Sequence, residues 1–135
     1  MKTTLNAIQL LKIPVVEDTR GNLAFIQEDV LPFEFKRVYY LFDVPSNAYR
    51  GGHSHIAQQE TLIALSGSFE VVLNDGTEKK SFILNKPNVG LLIPTGIWRE
   101  LQNFSSGAVC LVLASDVFKE EDYIRDFDEF LETKK

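Results

Sequence analysis

His53 and His55, one residue apart in Arg50-Gly51-Gly52-His53-Ser54-His55, are the only histidines in a chain of 135 residues. Residues two apart on an extended strand project to the same face, so both imidazoles enter one cavity if this segment is β. An imidazole with a pKa near ~6.5 both takes and returns a proton around neutrality, and proton transfer is the chemistry such a pair suits. Arg37 and Tyr39 repeat the spacing and place a cation and a phenol on one face of another strand, with Tyr40 pointing the other way. Groups of that kind stabilise an enolate-like intermediate. The duller readings are histidines that satisfy core hydrogen bonds, a core tyrosine and a surface arginine.

These side chains need strands to aim them, and the chain reads as many short strands. From Ile8 to Ala114, apolar or alternating runs are broken by Gly21-Asn22, Asp43 to Asn47, Asn74-Asp75-Gly76, Lys86-Pro87-Asn88, Pro94-Thr95-Gly96 and Ser105-Ser106-Gly107. Regular turn spacing of this type predicts an all-β sandwich or barrel. The clearest hairpin runs from Ser68 to Leu84 through Asn74-Asp75-Gly76, where Gly76 supplies the positive φ of a tight turn. After Ser115 the period changes. Asp116 is expected to cap a helix-like segment in which Phe118, Tyr123, Ile124, Phe127, Phe130 and Leu131 form one apolar stripe, with the surrounding acidic residues on its solvated face.

Composition narrows the function. The length fits a single domain over residues 1–135, and 44% hydrophobic with 24% charged residues is ordinary for a globular protein. A net charge of −5 argues against a nucleic-acid surface, which needs clustered Lys and Arg. Cys110, the only cysteine, sits in the apolar run Ala108 to Ala114 and reads as a small buried hydrophobe, which suits a reducing cytoplasm. With neither a secretory signal nor an apolar run long enough to span a bilayer, a cytoplasmic protein without membrane association is expected.

Two segments, His53-X-His55-X4-Glu60-X6-Gly67 and Gly90-X3-Pro94-X-Gly96-X2-Arg99-X3-Asn103, resemble the paired signatures of the cupin superfamily. That resemblance implies a double-stranded β-helix, the cupin jelly roll, here with a short C-terminal helical segment. Where metal-binding cupins supply a third histidine, this chain has Arg99. His53, His55 and Glu60 could still offer three ligands to a divalent ion. A permanently protonated guanidinium in the same cavity repels a cation and attracts an anion, which favours a metal-free site.

The whole chain further resembles one cupin group, the nucleotide-sugar 3,4-ketoisomerases of 6-deoxyhexose biosynthesis. The resembling stretches include Asp18-Thr19-Arg20-Gly21, Lys36 to Asp43, Arg50 to His55, Trp98-Arg99-Glu100 and Asp122-Tyr123-Ile124-Arg125. The resemblance implies a cofactor-independent homodimer that converts dTDP-4-keto-6-deoxy-D-glucose to a 3-keto-6-deoxyhexose, the precursor of a 3-amino sugar. It makes His53 the principal base, His55 its support or proton relay, and Tyr39 the active-site phenol. It places Arg20, Arg37 and Arg50 near the substrate, and Arg99 beside the sugar, where it influences which face of C4 is protonated. A lysine common after the second histidine is Ile56 here. Glu60 is read as a metal ligand in the alternative and as an anchor for Arg99 or a histidine otherwise. Trp98 is read as core. The competing functions are a metal-dependent cupin enzyme and a sugar-binding cupin without turnover.

Overall fold

The computed structural model describes residues 1–135. Its strands are β1 (Gln9–Lys12), β2 (Val15–Val16), β3 (Leu23–Ala24), β4 (Arg37–Leu41), β5 (Arg50–His55), β6 (Glu60–Ser66), β7 (Phe69–Asn74), β8 (Lys79–Leu84), β9 (Val89–Ile93), β10 (Trp98–Gln102), β11 (Val109–Ala114) and β12 (Tyr123–Ile124). One short helix, α1 (Phe127–Glu132), follows. Two five-stranded antiparallel sheets, ordered β1-β9-β6-β11-β4 and β12-β5-β10-β7-β8, make the jelly roll, and β2 and β3 form a separate small hairpin.

The two sheets share one core. Leu62, Leu91, Cys110 and Val112 from the first sheet meet Phe69, Val71, Leu73 and Leu101 from the second. Phe69 and Phe104 stack with centroids 5.3 Å apart. At 1% exposure each, these rings contribute about 1.5–3 kcal/mol apiece by leaving water. Strand β6 reads as a continuous apolar run because both its faces are covered: Leu62 and Ala64 face inward, while Ile63 packs outside with Ile13, Leu31 and Leu113 beneath Ile26, Val30, Phe33 and Phe35. In β4 burial alternates, so Arg37, Tyr39 and Leu41 turn inward and Tyr40 is 59% exposed, as its spacing requires. Cys110 is fully buried, and burial pushes its thiol pKa up.

The β7–β8 hairpin forms at the expected turn, which Asp75 closes by accepting the amides of Thr77 and Glu78 at 2.9 and 2.7 Å. The tail departs from expectation. Asp116 caps no helix; its carboxylate accepts the neighbouring Val117 amide and pairs with Lys119 at 3.0 Å. The helix begins eleven residues after Ser115 at its true cap, Asp126, whose side chain accepts the Asp128 amide. Tyr123 and Ile124 lie in β12, added to the edge of β5 by pairing Tyr123 with His55 and Ile124 with Ser54. A long-range ladder thus overrides the apolar period in that segment. Phe130 and Ile124 nevertheless cover Trp98, which is 5% exposed and a core residue as expected. No helix is long and apolar enough to cross a membrane.

Candidate active site

Gly51 determines how β5 meets β10. Arg99 pairs with His53 and Leu101 with Arg50, so β5 carries one extra residue between the two pairs, a β-bulge. Gly51 takes φ +101°, and a Cβ there would lie 3.1 Å from the Arg99 carbonyl oxygen and 3.2 Å from Glu100 Cα. Only glycine allows that conformation and approach together. The bulge turns His53 and His55 to the interior, directly across from Arg99.

These residues border a cavity of about 280 Å3 with an apolar floor that includes Leu62, Leu101 and Val112. A larger cleft, about 890 Å3, is bounded by residues 27–35 and contains neither histidine nor arginine. The smaller cavity has the chemistry. Arg37, Arg50, Arg99 and Arg125 face it against a single carboxylate, Glu60, so the site is cationic inside an acidic protein. Clefts of one sign concentrate ligands of the other.

Glu60 is the centre of the polar network and is 1% exposed. It accepts hydrogen bonds from Arg99 Nη1 at 2.6 Å, from the Tyr39 hydroxyl at 2.6 Å and from Gln58 Nε2 at 3.0 Å. Burial alone would raise its pKa. Hydrogen bonding from His55 and the Arg99 charge outweigh burial and hold the carboxyl down at about 2. Burial first, and then the Glu60 charge, push the Tyr39 phenol well above its ordinary range, so it remains protonated. Arg99 is 1% exposed, and its second Nη donates to the Ile97 carbonyl at 3.1 Å.

The two imidazoles form a chain. His53 Nδ1 lies 2.7 Å from the Gly51 carbonyl, the two Nε2 atoms are 3.1 Å apart, and His55 Nδ1 lies 3.0 Å from Asp122 Oδ2. A carbonyl and a carboxylate only accept, so both Nδ1 atoms carry protons, and the Nε2 contact needs one more. Burial and then the Arg99 charge push His53 down to about 3. His53 is therefore the neutral ring, with its lone pair on Nε2. His55 lies between Asp122 and Glu60, whose Oε1 is 3.5 Å from His55 Nε2.

Of the residues singled out in the sequence, His53, Tyr39, Arg37, Arg50 and Arg99 line the cavity, and His55 lies behind His53. Arg20 does not join them. It projects from the β2–β3 turn with 88% of its side chain exposed and pairs with Asp18 at 2.7 Å. Asp122, Tyr123 and Arg125 reach the site without having been singled out individually. Asp122 also accepts the Ala57 and Gln58 amides. The Tyr123 ring lies 5.0 Å from His53 and 4.5 Å from His55, and Arg37 reaches its hydroxyl at 3.4 Å. The signal available in the sequence was the pair Tyr123 and Arg125, two apart like the other site residues.

His53, His55 and Glu60 present ligand atoms within 4.8 Å of one another, a set that a divalent cation could use. The donor set fits poorly, because Arg99 Nη1 already occupies Glu60 Oε1 at 2.6 Å and a guanidinium does not give up its charge.

An antiparallel jelly roll that gathers a hydrogen-bonded histidine pair, a neutral phenol and several guanidiniums around one inner cavity defines a cupin-type protein fitted to proton transfer on an anionic ligand. Comparison with known proteins agrees. Residues 6–135 match the FdtA family, described as WxcM-like, C-terminal. A TDP-4-oxo-6-deoxy-alpha-D-glucose-3,4-oxoisomerase from Aneurinibacillus thermoaerophilus is 41% identical over 90% of this chain and 88% of its own. A 3,4-ketoisomerase from Helicobacter canadensis superposes with a TM-score of 0.92 at 46% identity, covering 95% of this chain and 97% of the other. QdtA, the 3,4-ketoisomerase of Thermoanaerobacterium thermosaccharolyticum, superposes with a TM-score of 0.94 at 39% identity over 97% and 96% of the two chains. That QdtA structure is a histidine-to-asparagine mutant in complex with TDP-4-keto-6-deoxyglucose. The chain belongs to the WxcM-like (FdtA) family.

Proposed function

We propose that the protein is a 3,4-ketoisomerase that converts dTDP-4-keto-6-deoxy-D-glucose to a dTDP-3-keto-6-deoxyhexose without a metal, in the biosynthesis of 3-amino-3,6-dideoxy sugars. The observation that carries this reading is the His53–His55 pair, with a lone pair on His53 Nε2 in a cavity rimmed by arginines. Moving a ketone between neighbouring carbons requires loss of the C3 proton, passage of the O3 hydroxyl proton to O4 across the enediolate, and protonation at C4. Burial and Arg99 keep His53 unprotonated, ready to accept the C3 proton at Nε2. The His55 N–H that it releases has Glu60 within 3.5 Å as its alternative acceptor. Enediolate charge beside Arg99 and Arg37 is stabilised by fixed guanidiniums, and it offsets the imidazolium formed on His53. His53 then returns the proton to C4, with His55 as its relay, and Tyr39 supplies a neutral phenol to the sugar oxygens. Arg37 and Arg50 are placed to hold the diphosphate.

Incubation with dTDP-4-keto-6-deoxy-D-glucose in D2O, followed by NMR, tests the reading. A 3-keto product with solvent deuterium at C4 is expected; unchanged substrate without exchange refutes it. A metal-dependent enzyme is the second reading, favoured by the clustering of His53, His55 and Glu60. Stoichiometric iron, manganese, nickel or zinc, with activity lost to a chelator, would establish that alternative. We further propose a homodimer. Strand β4 is a sheet edge whose outer face exposes Val38 and Tyr40, followed by Phe42, an apolar strip that a second copy can cover. Light scattering that gives the monomer mass refutes it.

A further inference from the structure

We propose that Arg125 is a diphosphate-binding arginine held in reserve by Glu120, so that Glu120 competes from within the chain for the place of the ligand's phosphate. The inference rests on the nucleotide-sugar reading given above. Arg125 lines the same cavity as His53, Arg37 and Arg50. Its guanidinium meets Glu120 as a fork on a fork, Nε to Oε1 at 2.8 Å and Nη2 to Oε2 at 3.0 Å. Phosphate oxygens use that same two-pronged geometry. The Tyr123 ring supports the guanidinium at 4.3 Å, and the same ring borders both histidines. Arg125 is therefore held at the mouth of the cavity by an aromatic platform that stays in place whichever anion it grips.

Glu120 is placed to be exchanged. It occupies a single 3-10 turn, Glu120–Asp122, just before β12, and hydrogen bonding from Arg125 lowers its pKa. The pair is open to water, with side chains 52% and 61% exposed, so little stability holds the two groups together. The other arginines of the cavity differ. Arg99 is committed to buried Glu60. Arg37 makes only 3.4 Å contacts to Gln58 and Tyr123, and neither it nor Arg50 has a carboxylate within ion-pair distance. Arg125 is thus the one cavity arginine whose counter-ion is both two-pronged and solvent-exposed. A diphosphate arriving beside Arg37 and Arg50 takes over the Arg125 fork and releases Glu120 to water, with no net loss of hydrogen bonds.

A double-mutant cycle on dTDP affinity, measured by titration calorimetry at fixed ionic strength, tests this. Glu120→Gln is expected to bind dTDP about two- to fivefold more tightly than wild type, the scale of an exposed ion pair. Arg125→Met is expected to bind about tenfold or more weakly, the scale of a charged hydrogen bond. In the Arg125→Met background, adding Glu120→Gln is expected to change affinity by less than about twofold, because the competitor no longer has anything to hold. Equal affinity of wild type and Arg125→Met overturns the proposal. So does unchanged or weaker binding by Glu120→Gln, or a gain of the same size with and without Arg125, which would reduce Glu120 to general repulsion. Wild-type protein that binds no dTDP would overturn the functional reading, and this inference with it.

Discussion

Glu60→Gln removes one charge from the centre of the site and leaves the other in place. Glu60 Oε1 faces the Arg99 guanidinium, and Oε2 faces the Tyr39 hydroxyl and the Gln58 amide, all of them donors. An amide has only one acceptor oxygen, so one orientation turns its NH2 against Arg99 and the other turns it against Tyr39 and Gln58. In both, Arg99 keeps its charge at 1% exposure with no counter-ion. Breaking a buried pair from one side costs about 3–5 kcal/mol. Unfolding entropy scales with length at about 2.1 cal/mol/K per residue, so a chain of this size should lose roughly 10–18 °C in Tm. Urea and thermal unfolding, each followed by fluorescence and circular dichroism, measure it. The double replacement Glu60→Met with Arg99→Met removes both charges and is expected to be less destabilised than Glu60→Gln alone, since an apolar pair of similar volume often substitutes for a buried ion pair. A loss under about 1 kcal/mol for Glu60→Gln, or a double variant worse than the single one, would refute the claim that Arg99 depends on Glu60 for its burial.

Replacing His53 with Asn should lower turnover by about 10²–10⁴-fold while melting remains cooperative, since it removes the base and retains a polar group of similar size; near-normal turnover would take His53 out of its role. Asp122→Asn leaves the 3.0 Å contact sterically possible but removes the charge that supports the His55 proton. Its kcat should fall by about ten- to a hundredfold with KM little changed, whereas a rise in KM alone would make Asp122 a substrate-binding group. Acid should weaken the fold earlier than ordinary carboxylates alone would cause. His53 is lowered from 6.5 to about 3, so the unfolded chain takes up its proton first and stability falls as pH drops through that window. Glu60, lowered from 4.5 to about 2, contributes stability that is present above pH 4.5 and lost below it. Urea unfolding between pH 7 and 4.5 should therefore show a decline that His53→Asn flattens, and a pH-independent wild type in that range would contradict the buried, neutral His53.

The strand-borne half of the site was legible in the sequence because alternation is local. His53 with His55 and Arg37 with Tyr39 point inward at period two, and Glu60, read as a metal ligand or as an anchor for Arg99 or a histidine, holds Arg99. The β7–β8 hairpin followed from its Asn74-Asp75-Gly76 turn. The other half depends on pairing across the chain. Asp122 reaches His55 over 67 residues, and Tyr123 joins Arg37 over 86. A two-residue strand added to a sheet edge has too few positions to display its own period, and Phe127, Phe130 and Leu131 downstream lent it the look of a helix stripe. Arg20 stands apart from both halves. Its motif resembles the family's, and within one chain the β2–β3 turn holds the side chain in solvent against Asp18, away from the cavity.

The docking of β12 on β5 also sets a schedule. The barrel strands that hold His53, His55, Tyr39 and Arg99 all precede residue 103, yet the carboxylate that supports the His55 proton belongs to Asp122 and arrives with the last strand. A chain can pair every strand but β12 and bury Glu60 against Arg99 while its histidine pair still lacks one of its two anchors. The site is therefore completed late, and turnover reports that the tail has seated rather than that the barrel has formed. In a refolding experiment, recovery of activity should lag behind recovery of sheet signal by the time β12 needs to find its edge.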